Sequence, residues 1–150
     1  MKRIIYLIFA AFSFAFLTGC QSESERVMSA LVGEWHYSGT ESGVTEDVWI
    51  AFSSDGTFDM YQMLGDGVHW HTAGTYVYDA SSNTLKGVYA DRYPWKYDYN
   101  ISVGGSTLEM KAVQLPTYVV KYTKGTIPAD VIEKSLELIT KAGESFVPFL

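Results

Sequence analysis

The sequence predicts an all-β protein: an antiparallel up-and-down barrel of about eight strands, with an α-helix after the last strand packed outside it. Three observations carry this. Tyr, Phe and Trp make up 15% of the 150 residues, and aromatic side chains favour pleated, half-buried surfaces. Turn signals built on glycine, aspartate and asparagine recur at short intervals. Between them apolar and polar residues alternate at period two, the repeat of a strand with one face in a core.

The chain opens with the basic pair Lys2-Arg3, an uncharged apolar run from Ile4 to Phe16, and then Leu17-Thr18-Gly19-Cys20. This is the order of a secretory signal: a charged start, an apolar middle and small residues before a cut. The apolar run is shorter than the roughly 18 residues that a transmembrane span requires. Leu17-Thr18-Gly19-Cys20 resembles the lipobox of bacterial lipoproteins. That resemblance implies cleavage before Cys20 and a thioether-linked diacylglycerol on its sulfur, so residues 1–19 are a signal peptide and the membrane is a partner through the anchor. Acyl chains of the palmitate kind contribute about 0.8 kcal/mol per buried methylene, and two or three of them make attachment effectively permanent. Cys20 is the only cysteine in the sequence, which excludes an intrachain disulfide.

Gln21-Ser22-Glu23-Ser24-Glu25 is polar and acidic and reads as a short flexible tether; residues 20–30 are expected to be the lipidated N-terminal tether, with helical character in the polar stretch just before Leu31. The run is similar to the acidic export signals that follow the lipidated cysteine in surface lipoproteins of Bacteroidetes. Gln21, where aspartate would retain the protein, resembles the sorting position of outer-membrane lipoproteins. The expected address is the outer membrane of the cell envelope, with the periplasmic and the surface face both open. Without Lys2 and Arg3, 17 acidic side chains face nine basic ones, a balance more negative than the −6 of the whole chain. Such a surface repels phosphates, which argues against nucleic acid and anionic lipid head groups as partners.

Residues 31–150 suffice for one domain with a single core. Ser54-Asp55-Gly56 separates Val48–Phe52 from Thr57–Tyr61, which is hairpin spacing with a glycine free to take positive φ. Further breaks fall at Gly65-Asp66-Gly67, at Asp79 to Asn83 and at Gly104-Gly105-Ser106. Alternation is clearest from Tyr97 to Val103 and continues through Leu108, Met110 and Ala112, then through Tyr118, Val120 and Tyr122. Strands centred near Trp35, Trp49, Phe58, Trp70–Tyr78, Val88, Tyr99, Met110 and Val120 bring the count to about eight. No helix long enough for a crossover lies between them, so neighbours pair antiparallel. Closure removes the two edges that an open sheet would leave. After the last strand, Ile127-Pro128-Ala129-Asp130 opens a helix with Val131, Ile132, Leu136 and Ile139 on one face and Glu133, Lys134 and Glu137 on the other. The proline and the early acid suit a first turn. Its apolar stripe is expected to pack on the barrel, with Phe146–Leu150 running back over the same outer surface; a partner-binding helix is the alternative.

Leu31-Val32-Gly33-Glu34-Trp35, then Phe52-Ser53-Ser54-Asp55-Gly56-Thr57-Phe58, Gly74-Thr75-Tyr76 and Tyr122-Thr123-Lys124 occur in this order. The series resembles the lipocalin-like lipoproteins of Bacteroidetes and, more distantly, the calycins, which share Gly-x-Trp on the first strand. The resemblance covers Leu31 to Lys124, and the Ile127-Pro128 helix is similar to tails in that group. It implies that Trp35 plugs one end of the barrel beneath a basic residue of the last strand, here Lys121 or Lys124, where arginine is usual. Physically, Gly33 would let the chain bend closely across that end, and the indole would fill it.

A barrel of about eight strands either fills with side chains or holds one small ligand, and period-two patterning fits both. Tyr76, Tyr78, Tyr97, Tyr99, Tyr118 and Tyr122 fall on inward positions and are the expected ligand-binding residues: apolar walls carrying hydroxyls able to orient an amphipathic guest. Covering the core with hydroxyls reaching water at the rim is the structural alternative. Met60, Met63 and Met110 would shape the same wall or simply fill gaps. His69 and His71 share a strand face, but a metal site wants a further ligand, with only distant His36 or acids such as Asp66 on offer, so no metal is expected. Asp91-Arg92-Tyr93-Pro94-Trp95 gathers charges and aromatics in one loop able to meet a glycan or an envelope protein.

Nucleophile elbow, phosphate-binding glycine loop and zinc-binding helix are all missing from the sequence, and Glu46 and Asp47 point to opposite faces of a strand, so no enzyme and no cofactor are expected. The expected function is a membrane-anchored envelope lipoprotein that binds a small apolar or amphipathic ligand in its barrel. The alternative is a filled barrel acting as a structural or interaction subunit against an envelope protein or glycan.

Overall fold

A computed structural model describes residues 22–138 and 149–150. The expected signal peptide, Cys20 and residues 139–148 lie outside the described residues. Eight antiparallel strands form a closed barrel: β1 (Gly33–Glu41), β2 (Val44–Phe52), β3 (Thr57–Leu64), β4 (Trp70–Asp79), β5 (Thr84–Tyr89), β6 (Tyr99–Gly104), β7 (Thr107–Ala112) and β8 (Val119–Lys124). Each pairs with the next in sequence, and β8 returns to β1. A helix, α1 (Glu23–Leu31), precedes them. A short helix, α2 (Ala129–Lys134), and a two-residue strand, β9 (Leu136–Glu137), follow.

Period two decides which side chains meet inside. Trp35 on β1, Val48, Ile50 and Phe52 on β2, Phe58 and Met60 on β3, and Leu108 and Met110 on β7 are all at most 1% exposed. The turn between β2 and β3 works as its composition predicts. Gly56 takes φ +84°, and Oδ1 of Asp55 accepts from the amide of Thr57 at 2.9 Å. Ser42 and Gly43, both at positive φ, make the unforeseen two-residue turn from β1 to β2.

The stretch expected to be a flexible tether is helical from Glu23 onward. Ser22 caps it: its Oγ accepts from the amide of Glu25, whose carboxylate accepts in turn from the amide of Ser22. Apolar Val27, Met28 and Leu31 then have a face to bury, and they bury it against the barrel core. The helix closes the end of the barrel where β1 starts and β8 finishes, here called the floor. There the indole N–H of Trp35 donates to the carbonyl of Leu31 at 2.8 Å.

Two seams of the barrel are paired only toward the floor and part toward the opposite end, the mouth. β1 and β8 share the register Trp35 with Lys124 and His36 with Thr123, both close to the floor. β5 and β6 share Thr84 with Asn100 and Leu85 with Tyr99. Above that, the chain from Tyr93 to Trp95 lies along β5: the amide of Tyr89 donates to the Tyr93 carbonyl, and the amide of Trp95 donates to the Gly87 carbonyl. This displaces the expected strand Tyr97–Val103, which begins only at Tyr99. The barrel is therefore laced below and splayed above.

The C-terminal segment departs further from expectation. The helix stops at Lys134. Leu136 and Glu137 then pair in parallel with Trp70 and His71 of β4, satisfying the backbone edge that β5 leaves uncovered. Of the expected stripe, Val131 is buried, whereas Ile132 and Leu136 are about half exposed, and Ile139 lies outside the described residues. Helix α2 does pack outside the barrel: Ile127 and Val131 cluster with Tyr61, Trp49 and Ala51 of the outer face of β2 and β3. Phe149 and Leu150 do not cover that outer surface. Leu150 is 1% exposed within the barrel core, and Phe149 packs against it.

Candidate functional site

Two adjoining recesses of about 300 and 320 Å³ open at the mouth. Both are lined by Glu41, Glu46, Tyr118 and Phe149; Tyr37 completes the first, and Tyr97 and Lys96 the second. The first lies where β1 and β8 splay, so the sparse register between those strands is what makes room for it.

Four of the six expected tyrosines converge here. The Tyr97 ring lies 5.7 Å from that of Tyr118 and 6.4 Å from that of Tyr99, and Tyr122 meets Tyr37 edge-on at 6.0 Å. Tyr99 and Tyr122 are fully buried, and among the described residues their hydroxyls have no hydrogen-bond partner. Leaving a buried hydroxyl unpaired costs roughly 1–3 kcal/mol. Burial pushes the Tyr118 phenol up to about 12, with the carboxylates of Glu46 and Glu41 adding to it, and raises the phenols of Tyr99 and Tyr122 well above the ordinary value, with neighbouring tyrosines adding to the shift. All three stay protonated at neutral pH and keep a proton to donate. Tyr76 and Tyr78 stand apart near the floor. The hydroxyl of Tyr76 donates to the Ser53 carbonyl at 2.7 Å, and that of Tyr78 to Oδ1 of Asn83 at 3.0 Å.

Residues not singled out from sequence complete the mouth. The Tyr37 hydroxyl donates to Glu46 at 3.1 Å, and burial together with that carboxylate raises its pKa. Tyr89, 4% exposed, and the fully buried Gln62 hold the chain's own Phe149 and Leu150 in the barrel. Tyr37 and Tyr89 share parity with Trp35 and Leu85, so period two could have found both. Gln62 was legible as the polar misfit in the inward series Phe58, Met60, Gln62.

The three histidines lie on the outer face of the barrel. Asp47 gathers two of them, with Nε2 of His36 at 2.6 Å from Oδ1 and Nε2 of His69 at 2.7 Å from Oδ2. The His36 ring also stacks on Trp49 at 3.9 Å. Burial opposes the charge on Asp47, but the hydrogen bonds to His36 and His69 outweigh it and hold its pKa below the ordinary value. His71 instead bridges Asp59 and Glu137, each at 2.8 Å, while Oδ2 of Asp66 accepts from the Trp70 indole. His69 and His71 thus serve different acids, and among the described residues no group of His, Cys, Asp and Glu is arranged to hold a metal ion.

Trp95 is not a surface residue of its loop. It is 5% exposed, edge-on to Phe58 and Tyr99 at 5.2 and 6.1 Å. In the 91–95 loop, Tyr93 is the exposed aromatic, at 46%.

No protein-family profile matches the sequence, and no curated protein matches it. A solved NMR structure of a protein from Bacteroides uniformis ATCC 8492 is similar, with a TM-score of 0.49 at 21% sequence identity, over 65% of this chain and 90% of that one.

Proposed function

We propose that this chain is a lipocalin-like envelope lipoprotein, anchored through lipid on Cys20, whose barrel binds a small apolar or amphipathic molecule at its mouth. The observation that carries the reading is the pair of buried hydroxyls of Tyr99 and Tyr122, without a partner among the described residues, whose rings meet the recess-lining rings of Tyr97 and Tyr37. Polar groups convergent in an otherwise apolar concavity are the usual make-up of a small-molecule site. A guest supplying two acceptors would relieve the cost of leaving those hydroxyls unpaired.

The charges at the rim narrow the class of guest. Glu41 and Glu46 flank both recesses, with Lys96 at one, so an uncharged or cationic head group is favoured over a carboxylate. Ser22 begins the helix that closes the floor, so a lipid carried two residues earlier in sequence would favour a mouth facing away from the membrane. Guests would then enter from the aqueous side.

Native mass spectrometry of the domain without its lipid, incubated with envelope lipid extract, tests the reading. A retained adduct is expected, and Tyr99→Phe with Tyr122→Phe should weaken its retention about tenfold, as loss of one or two hydrogen bonds implies. Absence of any adduct would leave the filled-barrel alternative, which the buried position of Leu150 favours.

A further inference from the structure

Phe149 and Leu150 sit in the barrel in the manner of a bound peptide. The carbonyl oxygen of Leu150 accepts a 2.7 Å hydrogen bond from the buried hydroxyl of Tyr89 on β5. The amide of Phe149 donates to Oε1 of Gln62 on β3 at 2.8 Å, and the Phe149 ring tilts against Tyr37 at 5.4 Å. Two strands, distant in sequence from the tail, thus hold its backbone by side chains, while the leucine side chain enters the core.

Gln62 has no other evident purpose. It is fully buried among apolar inward neighbours, where an amide is costly unless it is bonded. Its oxygen is used by Phe149, and among the described residues its Nε2 has no partner. The interior therefore offers an acceptor for one N–H, a donor beside it, a hydroxyl for a carbonyl and an apolar pocket holding a leucine. That set is the complement of a peptide backbone with an aliphatic side chain.

We propose that the barrel interior is a peptide-recognition site, occupied within the same chain by Phe149-Leu150 and open to short apolar peptides when that segment leaves. The proposal rests on the reading of the barrel as a binding module and narrows the guest from amphipathic molecules in general to peptides. Because the resident segment fills the site, the affinity for an added peptide is lowered by the fraction of molecules in which the site is empty.

The test compares the full chain with its Leu150→Asp variant, in which a carboxylate is too costly to bury and the segment is displaced. Acetyl-Phe-Leu amide, titrated by calorimetry, should bind the variant at least tenfold more tightly than the unaltered chain. Adding Gln62→Leu should reduce that binding about tenfold, and by more than it reduces binding of monoolein, an uncharged lipid with no backbone amide to offer Gln62. Monoolein binding with no peptide binding would overturn the peptide proposal and leave the lipid-carrier reading standing. Binding of neither would remove both, and equal peptide affinity with and without Leu150→Asp would also overturn the proposal. Should the variant fail to fold, hydrogen exchange on the unaltered chain decides: the Phe149 amide should be protected, and exchange at the free-peptide rate would overturn the proposal.

Discussion

The indole of Trp95 lies directly over the backbone of Gly87, so close that a Cβ on Gly87 would fall 2.1 Å from Cε2 of that ring. The absent side chain is what lets the 93–95 segment lie along β5 with its tryptophan in the core. Gly87→Ala should therefore destabilise the domain by about 1–3 kcal/mol through overpacking. At Gly104 a Cβ would meet nothing within 4 Å, so Gly104→Ala should stay within about 0.5 kcal/mol of the parent. Urea unfolding of the two variants, followed by tryptophan fluorescence, checks the contrast.

At the floor, Nζ of Lys124 stands 5.5 Å from the centre of the Trp35 ring, and that indole donates to the Leu31 carbonyl. Trp35→Phe would keep an aromatic ring but lose the donor and strand a buried carbonyl, at a cost of about 1–3 kcal/mol. Lys124→Met should cost less, about 0.5–1 kcal/mol, because the cation–π contact goes while the aliphatic stem remains. Equal losses for the two variants in chemical denaturation would contradict this ranking.

Tyr122→Phe removes a buried hydroxyl with no partner among the described residues and should leave the free protein as stable as before or up to about 1 kcal/mol more stable. Tyr76→Phe removes a hydroxyl bonded to the Ser53 carbonyl and should cost about 1 kcal/mol. In thermal unfolding the midpoint should fall for Tyr76→Phe and stay level or rise for Tyr122→Phe.

The histidine network gives stability a dependence on pH. Burial disfavours charge on His71, but its hydrogen bonds to Glu137 and Asp59 prevail and hold its pKa above the ordinary 6.5. Its contribution is complete below 6.5 and is lost as pH rises through the higher folded value. The gap between the parent and His71→Gln should narrow over that window. The amide of Leu138, which donates to the His71 carbonyl at 2.7 Å, should exchange faster as it does. Asp47 has the opposite sign. Its depressed pKa contributes above the ordinary 3.8, and the contribution is lost as pH falls through the lower folded value. Asp47→Asn should be less stable than the parent at neutral pH and equal to it in strong acid.

Strand positions were legible because period two and turn chemistry are local properties: Asp55-Gly56 turns where its composition demands, and Phe52 and Phe58 follow as inward neighbours. Of the two lysines that the family resemblance put over Trp35, Lys121 and Lys124, it is Lys124 that stands there. What failed depended on tertiary context. The capping box of Ser22 and Glu25 could be read as an acidic tether because the barrel surface that Leu31 needs is not adjacent in sequence. The amphipathic run after Pro128 continued helically on paper, yet the free edge of β4 at Trp70 and His71 draws Leu136 and Glu137 into a strand. The tyrosines divided between floor and mouth because one parity serves both ends of a barrel. Gln62 and Tyr89 were legible as inward positions but not as the groups that hold Phe149 and Leu150, because that segment is remote in sequence.

The uneven lacing of the strands bears on how selective the cup can be. A tube stitched evenly along its length has one bore and rejects whatever exceeds it. Here the short register of β1 with β8 leaves that part of the upper rim to side chains, and side chains change rotamer far more readily than a hydrogen-bonded ladder slips. Discrimination among guests would then fall to the chemistry of individual groups, and size would set only a soft limit.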